Sequence, residues 1–313
     1  MENEMLNLGA MALRKAALNE EAKAYVLSNP MLFQVLKKAA DRYIGGETLE
    51  ETINKVKLQN EKGFKCSIEF MGESTRTEIE ANAARDEFIK ICQEIKHQKL
   101  YSTLSLDLSH IGLAISKDLC FYNLNAICQE ASKGNIEVII SAEDAGRTDA
   151  VLNVYNDIAK DHQNVGITLQ ANLHRTKDDF KEVFKNKGRI RIVKGAFEKA
   201  TGGSLSRGDE LNQVYLNYID KLLSENNLCS IATHDKKIQQ EAKALIQKYK
   251  TTPDIYEFES LYGIQYEQLL DLKEEGYAAK LYFVYGKEWY LYLCNRLAEY
   301  PLNVFQALMD IVK

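Results

Sequence analysis

The sequence predicts an α/β protein: a distorted (β/α)8 barrel of the TIM type with an N-terminal helical arm. Three observations lead there. Eight short β-rich runs between Phe64 and Gly286 alternate with amphipathic helical segments, the rhythm of parallel strands joined by crossover helices. The polar residues of those runs collect at their C-terminal ends, where such barrels place their chemistry. The runner-up, a doubly wound open sheet, lacks its mark, because no GxGxxG follows any of the eight runs.

In chain order, residues 1–60 read as helical. MLNLGAMALRKAALNEEAKAYVL has apolar positions at three- and four-residue steps, and a second such segment from Met31 to Tyr43 stops at Gly45-Gly46. Residues 61–313 hold the barrel. Its runs are FKCSIEFMG (64–72), TLSLDLSHIG (103–112), IEVIISAED (136–144), VGITLQANL (165–173), RIRIVKGAF (189–197), LCSIATHD (228–235), IYEFESLYG (255–263) and AKLYFVYG (279–286). Barrel strands are buried on both faces and should read nearly all apolar, so polar residues within them need partners.

Composition bounds the function. The chain has 313 residues, 27% of them charged, and a net charge of −5, which advertises no basic face for nucleic acid. It has no apolar run near the length of a membrane span and no basic, apolar leader at its start, so the expected location is cytoplasmic. Six scattered cysteines without a CxxC read as buried reduced thiols, and the histidines show no ligand spacing, so no metal is expected. Three prolines and no linker-like stretch favour one domain over two.

Several residues carry chemistry. Arg191 lies in the middle of RIRIVKGAF, where an inward guanidinium would be desolvated and needs an anion. Two partners suit it: Glu143 or Asp144 on a neighbouring strand, or a cofactor that becomes anionic, such as a reduced flavin. Gly195 permits close backbone approach. The following KATGGSLSRGDE reads as a candidate lid over the barrel mouth. IATHD places Thr233, His234 and Asp235 at a strand end. In YFVYGKEWYLYLCNRLAEYP, Tyr292, Arg296 and Glu299 share one helical face bordered by Asn295. Tyr282, Tyr285, Trp289, Tyr290 and Tyr292 are expected to cluster beside it, a setting for a small ring-shaped ligand.

From about Phe64 to the C-terminus these pieces, in order, resemble the proline dehydrogenase family: FMGES, LSHIGLAISKDLC, EDAGRTDAVLNVY, NVGITLQANLHRT, RIRIVKGAF, SIATHD, YEFESLYGI and YFVYGKEWYLYLCNRLAEYPLN. The resemblance implies noncovalent FAD and hydride transfer from a carbon next to an amine nitrogen to the flavin, giving an imine. Proline, oxidised to pyrroline-5-carboxylate, is the default substrate. It also implies proline catabolism, a membrane quinone as electron acceptor and peripheral contact with the inner membrane face. Carried over residue by residue, Gln170, Arg191, Val193, Lys194, Gly195, Ala196, Thr233, His234 and Asp235 match flavin contacts. Leu261, Tyr282, Tyr292, Arg296 and Glu299 match substrate contacts, with Arg191, Tyr282 and Arg296 closest to the reaction.

Other positions depart from the family's pattern. Asp107 stands where the family has lysine, Asn295 where it has the first of two arginines, and Ser141 where it has aspartate. Phe197 replaces a tyrosine or tryptophan, and Glu259 a glutamine. Of the three cations that clasp the proline carboxylate in the family, only Arg296 remains. Two other readings therefore stand beside proline oxidation: the same flavin chemistry on an amine without a free carboxylate, and a non-catalytic flavin-binding barrel. A third, outside flavin chemistry, is a barrel aldolase or lyase with Lys194 as a Schiff-base lysine.

Overall fold

The computed structural model describes the backbone over residues 2–72, 74–195, 203–299 and 309, and the side chains of the same residues except 2–7 and 299. Eight parallel strands, β1 (Lys65–Phe70), β2 (Ser102–Leu106), β3 (Val138–Ile140), β4 (Val165–Gln170), β5 (Ile190–Val193), β6 (Cys229–Ala232), β7 (Tyr256–Leu261) and β8 (Ala279–Tyr285), close into a barrel in sequence order. β1 completes the ring by pairing with β8, Ser67 opposite Tyr282 and Phe70 opposite Tyr285.

Helices fill the crossovers: α5 (Glu78–His97), α6 (Lys117–Ser132), α7 (Thr148–Ile158), α8 (Thr176–Val183), α9 (Asp209–Ser224), α10 (Lys236–Tyr249) and α11 (Tyr266–Glu274). Local chemistry starts several of them. Thr77 and Glu80 form a reciprocal capping box on α5, and Asp235 caps α10. The main hydrophobic core lies outside the strand ring. There Ile68, Leu104, Ile140, Ile167, Ile192, Ile231, Phe258 and Leu281 pack against helical Phe88, Ile91, Leu124, Val154 and Ile219.

Ahead of the barrel come α1 (Glu2–Ala17), α2 (Glu20–Ser28), α3 (Pro30–Ala40) and α4 (Leu49–Glu61). The helical segment expected over 1–60 divides at Gly45-Gly46. Gly45 donates to the Val284 carbonyl at 2.8 Å, and Gly46 bridges Tyr285. Beyond that point α4 gives Leu49, Ile53 and Val56 to the barrel's own core. Before it, Ala17, Ala39, Ala40, Tyr43 and Ile44 form a second core with Trp289, Leu293 and Leu297 of α12 (Trp289–Glu299). The segment preceding β1 is thus a seat for the helix that follows β8. Among the described residues no helix is long and apolar enough to cross a membrane.

Candidate active site

The barrel interior is polar from floor to mouth. On the floor, Lys65 pairs with Glu137 at 2.8 Å and Glu257 at 3.2 Å. Arg189 pairs with Glu137 at 3.0 Å and Glu257 at 3.6 Å. Lys280 pairs with Glu257 at 2.9 Å and Glu259 at 3.3 Å. Burial opposes the charge on Glu257, yet Arg189, Lys280 and Lys65 together hold it well below the usual carboxylate range. Opposite charges alternate, as they must where a lone ion would be costly.

One level up lies Arg191, 4% exposed. Its Nε donates to Thr168 Oγ1 at 2.8 Å, Nη1 to Ser105 Oγ at 3.2 Å and Glu259 Oε1 at 3.0 Å, and Nη2 to Ser141 Oγ at 3.0 Å. The guanidinium also sits 5.0 Å from the centre of the Tyr282 ring. Burial works against its charge, but Glu259, Tyr282 and Glu69 offset that and keep it protonated. The carboxylate partner is therefore Glu259 on β7, and the expected pairing with Glu143 or Asp144 is corrected. The reason is direction. Arg191 points across the interior, whereas Glu143 turns to the β2 loop, accepting from the Ser109 amide at 2.8 Å and from Arg147 at 3.0 Å. Asp144 accepts from the Gly146 amide.

Glu69 accepts hydrogen bonds from the Tyr282 hydroxyl and, at 2.9 Å, from Ser141 Oγ. Burial first, then Glu69, pushes the Tyr282 phenol well above its ordinary value, and Asp107 acts in the same direction. Tyr282, Arg191, Ser141 and Glu69 are thus neighbours, with the Asp107 charge close enough to act on Tyr282.

At the rim, Lys194 Nζ lies 2.6 Å from Asp235 Oδ2. Asp235 Oδ1 meanwhile caps α10 through the Lys237 and Ile238 amides. Burial would raise the Asp235 carboxyl, but Lys194 and the cap hold it low. A lysine locked in an ion pair with a helix cap is poorly set to attack a carbonyl, so the Schiff-base reading finds no support. Thr233 Oγ1 accepts from the Asp235 amide at 3.1 Å. His234 Nε2 accepts from the Leu261 amide at 3.1 Å, and burial with the Arg296 charge nearby lowers its pKa to about 4. This places Leu261, His234 and Arg296 together and α12 at the mouth. Arg296 lies over Tyr292, 5.0 Å from its ring centre, with Asn295 half-buried beside them.

Gln170 Nε2 donates to the Glu143 carbonyl at 3.0 Å, and Val193 ends β5 opposite Gln170. Gly195 has φ +110, and a Cβ there would overlap the Asn172 amide. Its missing side chain thus makes room for Asn172, whose Oδ1 is buried without a hydrogen-bond partner among the described residues. Ala196, Phe197 and the Glu299 side chain lie outside the described residues, as does the first part of the candidate lid. The lid's described part docks on the β4 end, where Leu205 donates to the Asn172 carbonyl and His174 to the Gly203 carbonyl.

The expected aromatic cluster is split. Tyr282 faces the interior. Tyr285 packs 5.3 Å from Phe70 and donates to Glu87. Trp289 packs on Phe33, and Tyr290 donates to the Ala16 carbonyl, so both serve the seat of α12. Sequence reasoning missed Glu69, Glu257 and Lys280 as site residues. Their signal was present: β1 carries Lys65, Ser67 and Glu69 at every second position, and β7 carries Glu257 and Glu259.

The chain is similar to known proteins. The chain is 33% identical over 276 residues to proline dehydrogenase 1 of Bacillus subtilis subsp. natto, covering 88% of this chain and 91% of that one. It is 27% identical over 306 residues to proline dehydrogenase of Deinococcus radiodurans, covering 96% and 98%. Proline utilization A (PutA) from Bdellovibrio bacteriovorus superposes with a TM-score of 0.81 at 18% identity, over 96% of this chain and 37% of that one, a likeness of fold. The family model for proline dehydrogenase matches residues 52–303, and the chain belongs to the proline dehydrogenase family.

Proposed function

We propose that the chain is a flavin-dependent dehydrogenase that binds FAD noncovalently and oxidises proline at its ring C–N bond. One observation carries the reading: Arg191, held by Ser105, Thr168, Ser141 and Glu259, keeps a rigid cation just below the strand ends. The residues fit a flavin. The unpartnered Asn172 Oδ1 beside Gly195 is an acceptor suited to a ring N–H donor, and Arg191 suits the side of the ring that gains negative charge. A flavin held there would supply the acceptor for a hydride from the carbon next to the substrate nitrogen.

The chain's residues do the rest. Gln170, Arg191, Val193, Gly195 and Ala196 hold the ring. Lys194, Thr233, His234 and Asp235 lie where α10 begins, a setting for the phosphates and adenosine. Tyr282 is fixed by its bond to Glu69 and orients the substrate, with Leu261 and Tyr292 as apolar and aromatic walls. Arg296 attracts a carboxylate, with Asn295 beside it, and the family resemblance adds Glu299. The acceptor proposed on the family resemblance is a membrane quinone, reached by peripheral contact with the membrane.

Anaerobic titration tests the reading. Protein loaded with FAD should show bound-flavin absorbance that bleaches on adding proline. Bound FAD that proline and other cyclic amines leave oxidised would establish a non-catalytic flavin barrel instead.

Asp107 favours a second reading, an amine without a free carboxylate. Its charge lies near Tyr282, and a substrate carboxylate within ~6 Å of it would be repelled by about 3 kcal/mol at an effective dielectric near 20. Steady-state kinetics on proline, proline amide and pyrrolidine separate the two. The highest kcat/KM for free proline would dismiss the second.

A further inference from the structure

We infer that Lys280 and Glu259 are positioning residues for the reaction, carrying the charge of the barrel floor to Arg191 and so setting the reduction potential of a flavin held there. The inference rests on the reading of Arg191 given above. Seven side chains form an unbroken line of alternating sign through the interior: Lys65, Glu137, Arg189, Glu257, Lys280, Glu259 and Arg191. Glu259 is the junction. Its Oε1 lies 3.0 Å from Arg191 and its Oε2 3.3 Å from Lys280, so one carboxylate charge is shared between the two cations.

Folding alone does not call for this line. Buried ion pairs are often matched or bettered in stability by apolar residues of similar volume, and the outer faces of the same strands are packed that way. Lys280 is 0% exposed, so it offers nothing to solubility, and salt screens its charge little. What it does is compensate Glu259. Without Lys280 the whole Glu259 charge would fall on Arg191, and the field reaching the barrel mouth would become less positive. Without Glu259 the mouth would become more positive. Without Glu257 the effect has the same sign as without Glu259 but comes from farther away.

The test is the two-electron potential of FAD bound to the whole protein, measured by equilibration with a reference dye, on wild type and on E259Q, K280M and E257Q. Bound FAD per chain and circular dichroism are measured first. A buried unit charge at roughly 10 Å should move the ratio of reduced to oxidised flavin by about tenfold, or ~30 mV for a two-electron couple. The expected pattern alternates: the potential rises in E259Q, falls in K280M and rises by less in E257Q, and K280R restores the wild-type value. If K280M does not fold, K280Q, which keeps a donor toward Glu257 and Glu259, carries the same test. Shifts in one common direction, as general loosening would give, or no shift with FAD bound, overturn the inference. Wild-type protein that binds no FAD overturns the reading of Arg191 itself and the inference with it.

Discussion

The two faces of the eight strands are built on opposite principles. Outward, Ile68, Leu104, Ile140, Ile192, Phe258 and Leu281 meet the helices in an apolar layer. Inward, the neighbouring residues on or just past the same strands are Ser67, Thr103, Ser141, Arg191, Glu257 and Lys280. The outer face needs volume and shape, which many apolar residues supply. The inner face needs particular charges at particular atoms, because each is desolvated and answers to a neighbour. Stability is spread over the outer layer, and chemistry is concentrated on the inner one.

The sharpest way to break this contrast is to exchange the two principles at one level of the barrel. Glu257→Leu leaves Arg189, Lys280 and Lys65 without their shared anion and should cost ~3–5 kcal/mol. Leu281→Met, one residue from Lys280 but on the outer face, should cost less than about 1.5 kcal/mol. Urea unfolding of both variants compares them, and equal losses would mean that the inner charges matter no more than packing.

Arg191→Met should lower kcat/KM for the oxidised amine by ~10²–10³, the usual effect of removing one preorganised charge donor. Its secondary structure should be kept, since Met fills much of the same space. Kinetics unchanged from wild type would reduce Arg191 to an ion-pair partner of Glu259.

A smaller effect sharpens the contrast at the rim. Burial lowers His110 to a pKa of about 4, where it stacks 5.1 Å from Phe70, and His234 is also near 4. Unfolded histidine titrates near 6.5, so between pH ~6.5 and ~4 the unfolded chain binds protons that the folded chain refuses. The stability both residues contribute is therefore complete above that window and is lost as pH falls through it, up to tenfold in the unfolding equilibrium per pH unit for each histidine. His234→Gln should flatten the acid limb of stability against pH by about one proton. A limb as steep as wild type would mean that His234 is protonated in the fold.

Much of this was legible in the residues. The eight runs became eight strands because each joined β-branched or aliphatic residues to a following amphipathic helix. The ends were less legible. The run at 136–144 shortens to Val138–Ile140, and that at 103–112 to Ser102–Leu106, because Leu108 and Ile111 are buried in the turn beyond the strand. The partner of Arg191 was not legible, because an inward side chain on β5 can reach β2, β3, β4 and β7, and sequence adjacency favoured the wrong carboxylates. The aromatic run after β8 misled for a related reason. Closely spaced rings on a helix point to different faces, and Trp289 and Tyr290 turned to the arm. The alternation of polar residues inside β1, β7 and β8 was visible, but the expectation of apolar barrel strands hid it.

The seat formed by α1 to α3 has a consequence for how the protein is made. Tyr43 and Ile44 leave the ribosome about 250 residues ahead of Trp289 and Leu293, the partners they are buried with. At ~5–20 residues per second, that is tens of seconds. Throughout that interval the early helices have an apolar face with nothing to cover it, while the barrel assembles strand by strand beside them. Among the described elements the helix bearing Tyr292 and Arg296 is the last to be synthesised, so the mouth takes shape only after it meets the early helices. Synthesis therefore passes through a stage at which the barrel ring can close while the mouth is unfinished, with sticky surface exposed. That stage is the one at which a chaperone would be of most use and at which crowded nascent chains would most easily associate wrongly.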